Sequence, residues 1–288
     1  MKRHANLIAV LVLTATLVGG KPAHADGDLE SLIQNINARL AANGVDAEIG
    51  NIDMYTLGWG VREGRTLHFF ARWVPFDSRR GADGAALRYL VRQGPGATSS
   101  GLSNAVTESQ IDTSLATWDR DSCMSNAPIV KRVDPGVDVD IFDELIERGD
   151  SASPDFRLFS QRPADIIEGG FRPRAFFDWF APGGGAYILG MTIQFFYGHV
   201  DINHDGYRDM VFTETYYNDN FAWSDGGSLP TVDVQTVALH ENGHALLLSH
   251  FGPPPVAVMN PTYRGIQRAP FASDHAGLCV MWGGWPDR

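Results

Sequence analysis

The sequence predicts an α+β fold, a mixed sheet of about five strands with helices packed against it. Three observations predict it. Apolar residues recur at helical spacing in well-separated segments. Runs rich in β-branched and aromatic residues lie between them, and two of those runs flank a short Asp/Asn/Gly turn in the pattern of a hairpin. The 288 residues are 44% hydrophobic and 20% charged, a balance that fits a globular chain with a sizeable core and not a disordered one.

The elements follow in order. Lys2 and Arg3, the apolar stretch Leu7 to Val18 and Ala23-His24-Ala25 form an export signal over residues 1–25, cleaved before Asp26. The alternative is a membrane anchor, but an apolar run of about a dozen residues is short of the ~20 that span a bilayer. Leu29, Leu32, Ile33, Ile36 and Leu40 share one helical face, and Asn43-Gly44 supplies a stop. Strand-like runs cover Ala47 to Leu57 and Thr66 to Val74, and the polar break Asp77 to Gly84 separates residues 26–83, of unknown role, from a main domain at 84–288.

Within that domain Leu87 to Arg92 reads as a strand. Thr107-x-x-Gln110 has capping-box form ahead of Ile111, Leu115 and Trp118 at helical spacing. Residues 126–162 are turn-rich, and Ala164 to Ile167 is a short buried strand. Tyr187 to Tyr197 and Met210 to Tyr217 are the hairpin strands around Asp201 to Gly206. Asp233 is a natural N-cap for a helix through Val237 to Leu248, which Gly252 and Pro253-Pro254-Pro255 end.

Charge narrows the function. With 23 basic and 34 acidic residues the net charge is −11, which excludes a nucleic-acid binder that needs a basic face. Export would place Cys123 and Cys279 in an oxidising compartment, where an even count suggests a disulfide; two buried thiols are the alternative.

The chemistry concentrates in His240-Glu241-Asn242-Gly243-His244-Ala245-Leu246-Leu247-Leu248-Ser249-His250. On a helix, His240 and His244 lie one turn apart and can address one ion, while Glu241 is rotated about 100° away and suits a base. A chain that turns sharply after His244 brings His250 in as a third ligand. Three protein ligands leave a fourth position open for water, as a catalytic zinc site requires.

This segment resembles the extended zinc motif of the metzincin metalloproteases, and Val256 to Tyr263 is similar to the methionine turn of their matrixin branch. The resemblance implies a metzincin-like catalytic domain over 84–288, with an active-site helix and a C-terminal helix at Ser273 to Trp282. It assigns Met259 to the methionine turn beneath the metal and Pro261 and Tyr263 to the substrate pocket. It also implies an exposed edge strand, Tyr187 to Tyr197, along which substrate lies. Two departures stand out. Leu247 occupies a position where the family has glycine; if the backbone there needs positive φ, leucine costs on the order of 1 to 2 kcal/mol. No cysteine precedes Cys123, so the family's cysteine-based latency is not expected.

Asp201, Asn203, Asp205 and Asp209 alternate around Gly206, a spacing that suits calcium; the other reading is a solvated hairpin turn. A second zinc held by His199, Asp201 and His204 is a weaker rival. The expectation is therefore a secreted or periplasmic zinc endopeptidase acting on a protein or peptide through Glu241 as general base, with Zn2+ and a candidate Ca2+ as cofactors and no lasting membrane insertion. The alternative is a non-catalytic secreted metal-binding module.

Overall fold

The computed structural model describes residues 25–58, 71–80, 84–94, 98–136, 164–198, 200–227 and 230–286. The export signal, the strand expected from Thr66 as far as residue 70, most of the turn-rich stretch and His199 lie outside them. No helix among the described residues is long and apolar enough to cross a membrane.

The fold is α+β around a mixed sheet. Its strands are β1 (Glu48–Thr56), β2 (Ala71–Arg72), β3 (Leu87–Val91), β4 (Ile129–Lys131), β5 (Ile166–Arg172), β6 (Ile188–Phe196) and β7 (Arg208–Asn218). Among the described residues the sheet has seven strands where about five were expected, in the order β1-β6-β7-β5-β3-β4 with β2 alongside β7. Strands β3, β4, β5 and β7 run parallel, β6 is antiparallel to β7, and β1 is antiparallel to β6. A minor pair, β8 (Trp223–Ser224) and β9 (Val232–Asp233), lies apart.

Helix α1 (Ala25–Ala42) precedes β1, and α2 (Asn104–Asp119) makes the crossover between β3 and β4 that a parallel pair requires. A short helix α3 (Arg174–Asp178) follows β5, α4 (Val234–Ala245) carries the histidines, and α5 (Ala272–Trp282) closes the chain. Helix α2 begins one turn before the expected cap. Ser103 accepts the Val106 N–H, and Thr107 instead donates its hydroxyl to Gln93. Asp233 caps α4 as its position predicts, accepting the Thr236 N–H at 3.0 Å.

The core lies between the sheet and the α2–α4 pair. Trp118 and Leu115 are wholly buried, and the Trp118 indole donates to the Leu239 carbonyl at 2.9 Å, so α4 is held from the side away from the sheet. On the other side Gln194 of β6 donates to the His244 carbonyl at 2.8 Å. Residues 71–80 belong to the same body. The guanidinium of Arg80, 3% exposed, pairs with Asp165 and donates to the carbonyls of Val74 and Ala86.

One expectation is corrected here. Strand β6 is not an exposed edge: β1 pairs along it from Glu48↔Phe196 to Thr56↔Ile188, and every residue of β6 is buried. Ile49, Ile52 and Tyr55 need burial, and an unpaired β6 edge is where a strand can satisfy its backbone groups.

Candidate metal centre

Helix α4 ends at Ala245, because the chain must turn to bring a third histidine back. Leu246 N–H still bonds the Asn242 carbonyl, but Leu247 has φ 70°, and Leu248 N–H closes onto the Gly243 carbonyl at 2.9 Å. Leucine therefore sits in the left-handed region where the resemblance expects glycine. Its side chain is only 1% exposed, so burial offsets the backbone cost.

That turn brings the three imidazoles together. Nε2 of His240 lies 3.0 Å from Nε2 of His250, and Nε2 of His244 lies 3.1 Å from each. Nitrogens this close can all reach one ion at about 2.0–2.1 Å. The other ring nitrogens fix the tautomers. His240 Nδ1–H donates to the Val258 carbonyl and His244 Nδ1–H to the Leu248 carbonyl, each at 2.7 Å, which leaves their Nε2 atoms as lone pairs facing each other. Such mutually facing acceptors call for a cation, so this buried group could hold a metal ion. Burial holds all three histidines neutral, the form that binds metal: His240 is pushed well below its ordinary pKa, His244 to about 4 and His250 to about 3.

Glu241 points to the sheet. Thr192 of β6 donates to its Oε2 at 2.7 Å, and Oε1 completes no hydrogen bond although the Tyr55 backbone N–H faces the carboxylate. Burial raises its pKa well above the usual carboxylate value. Gly190 of β6 makes room, since a Cβ there would lie 2.9 Å from Oε1.

The turn after the histidines packs beneath α4. Met259 is fully buried under α4, and a Cβ on Gly243 would come within 2.3 Å of its sulfur, so that helical glycine permits the approach. Asp274 of α5 accepts the N–H groups of Val258 and Met259 at 2.9 and 3.2 Å and so ties the closing helix to the turn. Tyr263 is buried with its hydroxyl accepting the Asp233 N–H at 3.1 Å, and the Pro261 carbonyl accepts the Thr56 N–H at 3.4 Å.

Cys123 and Cys279 are joined as a disulfide, with Cα atoms 4.9 Å apart. Asp121 and His275 lie beside it, but a bridged pair offers no thiolates to a metal. Asp201, Asn203, Asp205 and Asp209 are close in sequence, yet the three carboxylates among them do not converge on one point. Asp201 accepts the N–H groups of Asp205 and Gly206, while Asp209 is held by Arg79 at 2.5 Å. Among the described residues, the carboxylates of this turn form no group within metal-sharing distance.

Four residues of the site carry no sequence signal of their role: Thr192, Gln194, Asp274 and Tyr55. The Tyr55 ring is stacked on that of His240, with centroids 3.7 Å apart and planes at 10°. Comparison with protein-family models and with curated proteins gives no match. The mixed sheet and the three-histidine group are compatible with the metzincin arrangement that the motif resembles.

Proposed function

We propose that the chain is an exported zinc-dependent endopeptidase of metzincin type, with His240, His244 and His250 as ligands and Glu241 as general base. The observation that carries this reading is the convergence of three histidine Nε2 atoms beside a buried carboxyl that is not itself a ligand. A structural zinc site would be closed by a fourth protein ligand, usually thiolate, and both cysteines are bridged. When bound, the metal supplies Lewis acidity toward water and a peptide carbonyl. Glu241 takes the proton from the attacking water and delivers it to the departing amine, a task suited to a carboxyl whose pKa burial has raised. Thr192 holds one oxygen of that carboxyl and leaves the other for the reacting proton. The export signal supports action outside the cytoplasm.

One observation favours the second reading, a metal-binding module without catalysis: β1 fills the space over the histidines. Glu241→Gln separates the two. Glutamine keeps the shape and cannot accept a proton at neutral pH, so zinc content measured by elemental analysis stays near one per chain while peptide hydrolysis falls by roughly 10²-fold or more. Wild-type cleavage in the zinc-loaded variant would remove Glu241 from the mechanism, and loss of zinc would make it a ligand or a support.

A further inference from the structure

Residues 51–57 lie across the metal centre with the contacts an added peptide strand makes. On one side β1 continues the ladder from β6, with Asp53 opposite Thr192 and Tyr55 opposite Gly190. On the other side Thr56 bridges Thr262 in parallel: its N–H donates to the Pro261 carbonyl and its carbonyl accepts the Tyr263 N–H at 2.9 Å. The strand is thus gripped through its backbone from both flanks, the way an extended peptide is held at a sheet edge.

Alternation puts Asn51, Asp53 and Tyr55 on the face toward α4. Tyr55, 1% exposed, stacks on His240 and meets Tyr263 edge-on with centroids 6.0 Å apart. Asp53 reaches within 3.5 Å of His244 Nδ1, and Asn51 donates to Asp53 at 2.5 Å. Tyr55 is in register with Gly190, where a Cβ would lie 2.9 Å from Glu241 Oε1, so the strand passes beside the base. Helix α1 clips this strand in place: the Asn37 side chain both accepts the Ile49 N–H at 2.7 Å and donates to the Ile49 carbonyl at 3.0 Å.

We propose that β1 is a built-in occupant of a peptide-binding cleft, with Tyr55 filling the side-chain pocket between His240 and Tyr263. While β1 is seated, the metal centre is closed to other peptides. When it leaves, the cleft takes extended peptides that place a large aromatic residue where Tyr55 was. No cysteine takes part in this closure; it rests on strand pairing and one aromatic ring.

The inference rests on the endopeptidase reading for the purpose of the cleft, so its test reads binding and not turnover. Two zinc-loaded full-length variants are compared by fluorescence polarisation with a labelled synthetic peptide of residues 48–57. Tyr55→Ala weakens the seated strand and is expected to bind the peptide. The same variant with Ile52→Cys and Ile193→Cys, a pair in register across β1 and β6, is expected on oxidation to bind about 10-fold or more weakly and to recover on reduction. The same peptide with alanine in place of tyrosine should bind Tyr55→Ala about 10-fold or more weakly. If circular dichroism shows Tyr55→Ala unfolded, Asn37→Ala, which removes only the clip at Ile49, replaces it in both chains. Equal peptide binding by locked and unlocked chains, or by neither with zinc retained, overturns the inference. Binding without any hydrolysis would keep it and overturn the endopeptidase reading. Hydrolysis by the locked chain would do the reverse.

Discussion

Leu247 shows how one residue sets the reach of the third histidine. Its φ of 70° is a conformation that costs an L-residue on the order of 1–2 kcal/mol, while its buried side chain contributes more than that to the core. The two effects separate by substitution. Leu247→Ala loses the packing and keeps the strain, so it should cost about 2–5 kcal/mol. Leu247→Gly loses the packing and relieves the strain, so it should unfold at a higher denaturant midpoint than the alanine variant, by about 1 kcal/mol. The usual order, with glycine the worse of the two, would mean that no strain is stored at this turn. The sequence made this position legible because a helix holding His240 and His244 cannot reach a residue at 250 without a turn. It could not reveal Tyr55, whose stacking on His240 joins residues 185 positions apart through a strand pairing that no local pattern encodes.

Among the elements, helix α5 acts on the metal centre at second hand. Asp274 is fully buried and accepts backbone N–H groups from Phe271, Val258 and Met259; the Val258 carbonyl in turn holds His240 Nδ1. Asp274→Ala strands three donors, each worth about 1–3 kcal/mol when buried without a partner. Zinc affinity, measured by chelator competition, should drop by roughly 10 to 100-fold, as expected for a group that orients a ligand. Unchanged affinity in a folded Asp274→Ala chain would mean that the turn is set by other contacts. Helices α1 and α2 were readable from the 3.6-residue period and α4 from Asp233 ahead of it, whereas α5 was expected only through the resemblance and α3 was not expected. Strand order was not readable. Runs rich in β-branched and aromatic residues mark Ala47 to Leu57 and Tyr187 to Tyr197 as strands, but whether the second is an edge depends on which partner it finds, and its partner comes from the segment whose role the sequence left open.

At the scale of the whole molecule, two features set stability. The disulfide ties the turn after α2 to α5 across 156 residues, and restricting so long a loop in the unfolded chain is worth roughly 4–5 kcal/mol in the entropy model. The Cys123→Ser/Cys279→Ser variant should therefore lose most of that in denaturant unfolding while its folded fraction keeps zinc; an unchanged midpoint would remove the bridge from the stability of the fold. The second feature is a buried proton. Glu168 of β5 is wholly buried, accepts the Tyr217 hydroxyl at 2.7 Å, and burial pushes its pKa to about 8 from an ordinary 4.5. Between those two values the folded chain holds this proton and the unfolded chain has released it. Unfolding then frees a proton, so this contribution is full below pH 4.5 and is lost as pH rises toward 8. The three metal-site histidines work in the opposite sense, since their depressed pKa values make acid destabilising below about 6.5, their unfolded value. Above about 6.5 they are neutral in both states, which leaves a window up to about 8 where the Glu168 contribution can be read against a variant. In that window wild-type stability should fall relative to Glu168→Gln, whose amide accepts the same hydroxyl and never ionises, by up to about 1.4 kcal/mol per pH unit. Parallel stability curves for the two chains between these limits would show that Glu168 is already ionised in the fold.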